Sequence, residues 1–416
     1  MPCRPGTALN FAYMRAIAAI CVLLAVKTSP AQSPDLKYLY DAHDWIKLRD
    51  ALRNAKSPPV LYRAAVASAF NQPGQAEKLL RSLIKSTPAS PQAYEAHEIL
   101  AHIYLRAGQY RRLISNMEAR WAAFPDKSNV QEERTVMEPF RDLPDQETAG
   151  VKPSTLRHNG DISLPVSING GAAKYFFDTG AAVSCMSESE AKRLGLTIRE
   201  TTGTLGTSTG ARTAFRTAVA AQLTLGNVQL RNVSFAVFPD DQEPWVDLPP
   251  AERGLLGRPI LLAFRTLRWA HDGTVRFGSK SLPGRRPKSN FYFDEDSPVV
   301  VTRLGQESVL VTLDTGAETT DLYAGFAKQF PALLSESGKK DSTEVRGVGH
   351  AETFDSVTIP ELTFRLGDID TVLRPAHVLL KHPGNKCCVG NIGLDLLKQG
   401  RAFKIDFGAM TLELEP

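Results

Sequence analysis

The sequence predicts a multidomain α plus all-β protein: an array of helical hairpins followed by two β lobes of shared layout. Three observations carry this. Residues 35–140 repeat apolar side chains at helical spacing. From about residue 157 the texture changes to short alternating or β-branched runs broken by Gly, Asn and Pro. The β region then contains the same short motif twice, each copy followed by the same partner at the same distance. A chain of 416 residues is long enough for more than one core.

In chain order, Met14-Arg15 precedes the apolar run AIAAICVLLAV, which is short for a membrane span and ends at Lys27. Ser29-Pro30-Ala31 supplies small residues before Gln32, so residues 1–31 read as a signal peptide and the mature protein as periplasmic or secreted. An uncleaved N-terminal membrane anchor is the alternative. Helical segments follow in YRAAVASAF, QAEKLLRSLI, AYEAHEILAHIYL and YRRLISNMEARWAAF, with turns at Asn71-Gln72-Pro73-Gly74, Thr87-Pro88, Ala107-Gly108 and Phe124-Pro125. Gly74 and Gly108 stand 108 − 74 = 34 residues apart. That period and the fragment AHIYLRAGQY resemble tetratricopeptide repeats, whose concave grooves bind peptides. A spacer, or a surface packed on the next domain, fits the same pattern.

Residues 141–156 are polar and contain proline, as a linker would. The first β lobe is assigned to residues 157–280. A basic, proline-rich connector follows at 281–290, including Ser281 to Pro287, and the second lobe occupies 291–416. The formal charge of +4 falls to 4 − 3 = +1 without Arg4, Arg15 and Lys27, which argues against a nucleic-acid partner. Beyond the leader the cysteines are Cys185, Cys387 and Cys388. An odd count permits one disulfide or none, and neighbouring cysteines rarely bond to each other. His377, His382 and Cys387 match no metal spacing, so no metal or cofactor is expected.

The internal repeat holds the chemistry. KYFFDTGAAVS places Asp178 after one apolar strand, and VLVTLDTGAET places Asp314 after another. Each strand follows a partner strand across a turn, at Gly170 and at Gly305. Gly254-Leu255-Leu256-Gly257 and Gly390-Asn391-Ile392-Gly393 lie downstream at matching offsets: 254 − 178 and 390 − 314 are both 76, and 257 − 178 and 393 − 314 are both 79. One Asp-Thr-Gly is often only a turn. Two copies, each with the same partner at the same distance, are a strong signal.

On these motifs, residues 157–416 resemble the aspartic peptidases, particularly a bacterial single-chain form of the retropepsin-like branch. Leu255-Leu256-Gly257-Arg258 is the closer match to the retropepsin motif and Asn391-Ile392-Gly393 the looser one. The resemblance implies a bilobal pepsin- or retropepsin-like β-barrel with catalytic residues Asp178 and Asp314. Thr179 and Thr315 would cross-link the two loops, and Gly180 and Gly316 would admit backbone amides to the carboxylates. Two carboxylates that close share one proton, so one acts as base toward a water and the other as acid toward the scissile bond. Ala181 and Ala317 stand where pepsin-like enzymes carry Ser or Thr. Losing that hydroxyl raises the pair's lower pKa and moves the working pH toward weakly acidic or neutral.

Between each Asp-Thr-Gly and its glycine-rich partner the resemblance calls for a flap. The candidates are Gly206, Thr207 and Ser208 in lobe 1, and Gly347 and Gly349 in lobe 2. Gly206-Thr207-Ser208-Thr209-Gly210 also matches the serine-hydrolase G-x-S-x-G pattern, but that motif needs a strand before it and a helix after it. The expected function is an exported aspartic endopeptidase acting on polypeptide as a monomer, with a peptide or protein as the candidate partner of the helical array. The alternative is a non-catalytic peptide-binding protein that keeps the fold.

Overall fold

A computed structural model describes residues 35–280, 288–382, 384 and 387–416. The leader expected at 1–31, residues 281–287 of the connector, and Pro383 and Asn385 lie outside the described residues.

Seven helices open the described chain: α1 Leu36–Asp41, α2 Trp45–Asn54, α3 Val60–Ala69, α4 Pro73–Ser86, α5 Pro91–Arg106, α6 Tyr110–Ala123 and α7 Val130–Met137. Their starts are written in the sequence. Asp44 accepts the Lys47 amide at 3.1 Å ahead of α2, and Ser90 accepts the Ala93 amide at 3.1 Å ahead of α5, whose first residue is Pro91. Successive helices pack on one another, α3 on α4, α4 on α5 and α5 on α6.

Lobe 1 contains β1 Glu147–Val151, β2 Ser154–Arg157, β3 Ser163–Ile168, β4 Gly171–Phe177, β5 Ser184–Ser187, β6 Thr204–Gly206, β7 Arg212–Ala214, β8 Arg216–Leu225, β9 Val228–Phe238, β10 Gly254–Leu256, β11 Thr266–Ala270 and β12 Thr274–Phe277. Seven of these form one sheet in the order β1-β9-β5-β10-β4-β3-β8. The segment 141–156, expected to be a linker, therefore contributes two strands. β1 pairs antiparallel with β9, and β2 pairs with β12.

Lobe 2 contains β13 Phe291–Asp294, β14 Ser297–Leu304, β15 Glu307–Leu313, β16 Asp321–Leu322, β17 Lys339–Gly347, β18 His350–Ile359, β19 Leu362–Leu366, β20 Ile369–Leu373, β21 Ala376–Leu379, β22 Asn391–Ile392, β23 Ala402–Asp406 and β24 Thr411–Glu415. The lobes share a sheet of order β2-β12-β11-β23-β24, in which β11 of lobe 1 pairs with β23 of lobe 2 along five residues. Ten residues at that seam thus lie in one continuous ladder, which fixes the lobes relative to each other.

The helical array packs on the lobes. Leu100, Tyr104, Leu113 and Trp121 share one core with Cys185, Phe238, Trp245 and Leu255 of lobe 1. Leu39, Trp45, Ala69 and Phe70 join a second core with Phe291, Tyr292 and Phe293 of lobe 2. Residues Leu36–Pro416 accordingly form one compact unit.

Candidate active site

β3 and β4 turn at Asn169-Gly170, both with positive φ (49° and 86°), and β14 and β15 turn at Gly305 (φ 60°). These tight hairpins suit Asn and Gly because other side chains resist that backbone region. Each hairpin delivers its second strand to an Asp-Thr-Gly. β10 then runs parallel to β4, with Leu256 opposite Phe177, and β22 runs parallel to β15, with Ile392 opposite Leu313.

The two loops are held by matching bonds. The Asp178 amide donates to the Leu256 carbonyl at 3.0 Å, and the Asp314 amide to Ile392 at 3.0 Å. The Gly257 amide donates to Ser184 Oγ at 3.0 Å, and Gly393 to Thr320 Oγ1 at 2.9 Å. The Arg258 amide donates to the Ala181 carbonyl at 3.0 Å, and Leu394 to Ala317 at 2.9 Å. Every pair is related by the interval 314 − 178 = 136. Ser184 and Thr320 were not singled out from the sequence, although the same interval locates them.

Across the lobes the threonines interlock. Thr179 Oγ1 donates to the Leu313 carbonyl at 2.8 Å and accepts the Thr315 amide at 3.0 Å. Thr315 Oγ1 donates to the Phe177 carbonyl at 2.9 Å and accepts the Thr179 amide at 3.0 Å. Both threonines are buried, so each hydroxyl satisfies one donor and one acceptor that water does not reach.

This grip sets Asp178 against Asp314. A methyl group on Gly180 would stand 2.7 Å from Asp314 Oδ1, and one on Gly316 would stand 2.5 Å from Asp178 Cγ. Only glycine leaves room at either position. Asp178 Oδ1 accepts the Gly180 and Ala181 amides at 2.7 and 3.1 Å, while Asp314 Oδ1 accepts the Gly316 amide at 2.9 Å. Burial, the Asp178 charge and the bond between the carboxyls push Asp314 up to about 8. Burial also raises Asp178, against the pull of its two amides. The pair thus holds one proton through neutral pH.

Arg258 lies behind the lobe 1 loop, 5% exposed. Its guanidinium donates to the Thr179 and Gly180 carbonyls at 3.1 and 2.7 Å and to Asp296 at 2.7 Å. Leu394 occupies the equivalent place in lobe 2.

The flap candidates are brought together. Gly206, Thr207 and Ser208 turn the β6–β7 hairpin, and Gly347 and Gly349 turn the β17–β18 hairpin. Ser208 Oγ donates to the Arg346 carbonyl at 3.0 Å, and Thr213 Oγ1 to Val348 at 3.3 Å. A methyl group on Gly347 would meet Ser208 Oγ at 2.3 Å, so the two tips touch. His382 Nε2 approaches the Ser208 carbonyl at 2.6 Å, and its ring stacks on Tyr323, whose phenol feels the Asp314 charge after burial as the larger cause. With Ser208 at a hairpin turn, the G-x-S-x-G match has no following helix and is not a nucleophile elbow. Cys185, Cys387 and Cys388 are free thiols.

Residues 164–261 match the family model described as gag-polyprotein putative aspartyl protease, a span that includes Asp178 and Gly254 to Arg258. Among solved structures the chain is similar to a retropepsin-like aspartic protease from Rickettsia conorii, at 18% identity and a TM-score of 0.23, over 32% of this chain and 93% of that one. It is also similar to the retroviral protease-like domain of Ddi1 from Leishmania major, at 18% identity and a TM-score of 0.17, over 30% of this chain and 98% of that one. No curated protein matches the sequence. The retropepsin-like resemblance and the α plus all-β fold class read from the sequence stand on the family match.

Proposed function

We propose that the protein is an exported aspartic endopeptidase whose catalytic pair is Asp178 and Asp314. The observation that carries this reading is the face-to-face placement of two Asp-Thr-Gly loops, each glycine opening directly onto the opposite carboxyl. The aspartic-protease-like family match of lobe 1 supports it. Export rests on the apolar run at 16–26 and the small residues before Gln32.

In this mechanism Asp178, held by two amides, is the carboxylate, and Asp314 carries the shared proton. Asp178 takes a proton from water as the oxygen adds to the scissile carbonyl, and Asp314 gives its proton to the carbonyl oxygen. Collapse of the resulting diol breaks the C–N bond as Asp178 gives its proton to the amine and Asp314 takes one from a diol hydroxyl. The pair returns to its singly protonated state. Both hairpin tips act as flaps over the bound chain, and opening their mutual contacts admits it.

The test is cleavage of a mixed peptide library by residues 32–416 across pH, beside Asp178→Asn and Asp314→Asn. Each variant is expected to lose about a thousandfold or more of the rate, within the range that acid–base groups contribute. The rate should rise as Asp178 ionises, above the ordinary carboxylate range, and fall as Asp314 loses its proton near about 8. The optimum is then weakly acidic to near neutral. Activity confined to strong acid would contradict the assignment of the proton. No cleavage by folded protein would favour a peptide-binding role.

A further inference from the structure

The geometry points to Arg106, on the helical array, as a positioning residue for the Asp178 loop, acting through Asp296 and Arg258. This rests on the peptidase reading of that loop and adds to it the means by which the array supports the site.

Three acidic residues, Asp294, Glu295 and Asp296, stand at the turn between β13 and β14 of lobe 2. The array grips this turn at two points. Trp45 Nε1 donates to Asp294 Oδ1 at 2.8 Å, and His43 Nδ1 lies 2.7 Å from the same oxygen. Arg106 donates to the Glu295 carbonyl and, at 3.1 and 2.9 Å, to the carbonyl and hydroxyl of Ser68 on α3. Its guanidinium lies 4.6 Å from the Phe293 ring centroid, and the residue is 4% exposed.

The next residue of the turn, Asp296, faces inward. It accepts Arg258, and Arg258 in turn donates to the Thr179 and Gly180 carbonyls beside Asp178. The groups act on one another as well as touching in sequence. Although burial opposes ionisation, Arg258, His102 and Arg106 hold the Asp296 carboxyl below its ordinary range. The path therefore runs from the array, through a lobe 2 turn, to a lobe 1 catalytic loop.

The alternation of charges makes the path directional in its requirements. Arg258 is buried against carbonyls and needs Asp296 as its counter-ion, since a buried cation left unpaired is costly. Asp296 stays at that distance only while the turn is held, and Arg106 holds the turn from outside. Losing Arg106 frees the Glu295 carbonyl, lets Asp296 retreat, and leaves Arg258 to pull on the two loop carbonyls alone. The amides of Gly180 and Ala181 lie in the same loop and hold Asp178 Oδ1, while the Thr179 amide is held by Thr315. A shift of under 1 Å there is enough to slow the reaction.

The experiment compares wild type, Arg106→Met, Asp296→Asn, the double variant and Arg112→Met as full chains. Arg112 pairs with Glu77 inside the array and makes the control for losing an arginine there. Two quantities are read: kcat and KM on a peptide substrate, and hydrogen exchange of the amides of Thr179 to Ala181. Arg106→Met is expected to lower kcat on the order of tenfold with KM unchanged, and to speed exchange in that loop. Asp296→Asn, which leaves the array intact, should do the same, and the double variant should be no worse than either single one. Arg112→Met should change neither quantity. Unchanged loop exchange in Arg106→Met and Asp296→Asn, or the same change in Arg112→Met, would overturn the relay. If wild type cleaves no peptide, the exchange data still decide the relay, and only the peptidase reading falls. If Arg106→Met does not fold, Arg106→Lys, which keeps the charge but cannot bond Glu295 and Ser68 together with one planar fork, takes its place in the comparison.

Discussion

In lobe 1 the strand carrying Asp178 is backed by Gly254–Leu256, and in lobe 2 the strand carrying Asp314 is backed by Asn391–Ile392. Three bonds tie each loop to its backing strand, and their donors and acceptors correspond at an interval of 136. Away from these bonds the correspondence ends. At that interval Arg258 corresponds to Leu394, Cys185 to Asp321, and Gly160 to Asp296. The hairpins differ too, with strands of three residues each at 204–214 against nine and ten at 339–359. Symmetry is retained in the bonds that fix the two loops to their backing strands and to each other. It is lost at the carboxyls, where Asp178 accepts two amides and Asp314 one, and at Cys185, which shares a core with the helical array.

The largest expected effect tests the symmetric half of this comparison. A methyl group on Gly257 would stand 2.6 Å from the Val183 carbonyl oxygen, and one on Gly393 would stand 2.5 Å from Thr319. Both clashes are with backbone, which cannot rotate away. Gly257→Ala and Gly393→Ala should each destabilise by about 3 kcal/mol, the upper part of the overpacking range. Urea unfolding of the two variants measures this. Costs that differ by more than about twofold would show that the two cradles are not equivalent.

A smaller, equally symmetric effect is expected at the threonine grip. Thr179→Val leaves the Leu313 carbonyl and the Thr315 amide without partners in a buried place, and Thr315→Val does the same to Phe177 and Thr179. Each should cost about 2 kcal/mol. Because the two residues serve one network, the double variant should cost less than the sum of the single ones. Additive costs would separate the two halves of the grip.

The symmetric part was the part legible in the sequence. Two Asp-Thr-Gly motifs with glycine-bearing partners at 76 and 79 residues identify the loops and the strands behind them, because a repeated interval survives when side chains diverge. Helical hairpins at 35–140 were equally legible from apolar period and Pro or Gly turns. Residues 147–151 were not read as a strand, and the reason is physical. β1 is an edge strand, mostly exposed, whose register slips between Thr148 and Gly150, so it lacks the alternation that marks a buried strand. Arg106 and Asp296 left no mark either. Arg106 reaches the Glu295 carbonyl across 189 residues and Asp296 pairs with Arg258 across 38, and such contacts impose no period on the chain.

The smallest effect probes the asymmetric half. Asp321 occupies the place of Cys185, with Oδ1 buried and unpartnered among the described residues. Burial, then the nearby Asp395 charge, raises its pKa from 3.8 to about 6. A carboxyl raised on folding binds its proton more tightly in the folded chain than in the unfolded one. Its contribution to stability is therefore complete below pH 3.8 and is lost as pH rises through about 6. Asp321→Asn removes that dependence, because an amide does not titrate. The variant should gain stability over wild type between pH 4.5 and 7.5, on the order of 1 kcal/mol for a partly exposed group. Cys185→Ser, the same position in the other lobe, should show no such gain over that interval, since burial keeps the thiol protonated throughout. Parallel slopes of wild type and Asp321→Asn would mean that Asp321 is hydrated or paired in solution, and that this difference between the lobes carries no energetic weight.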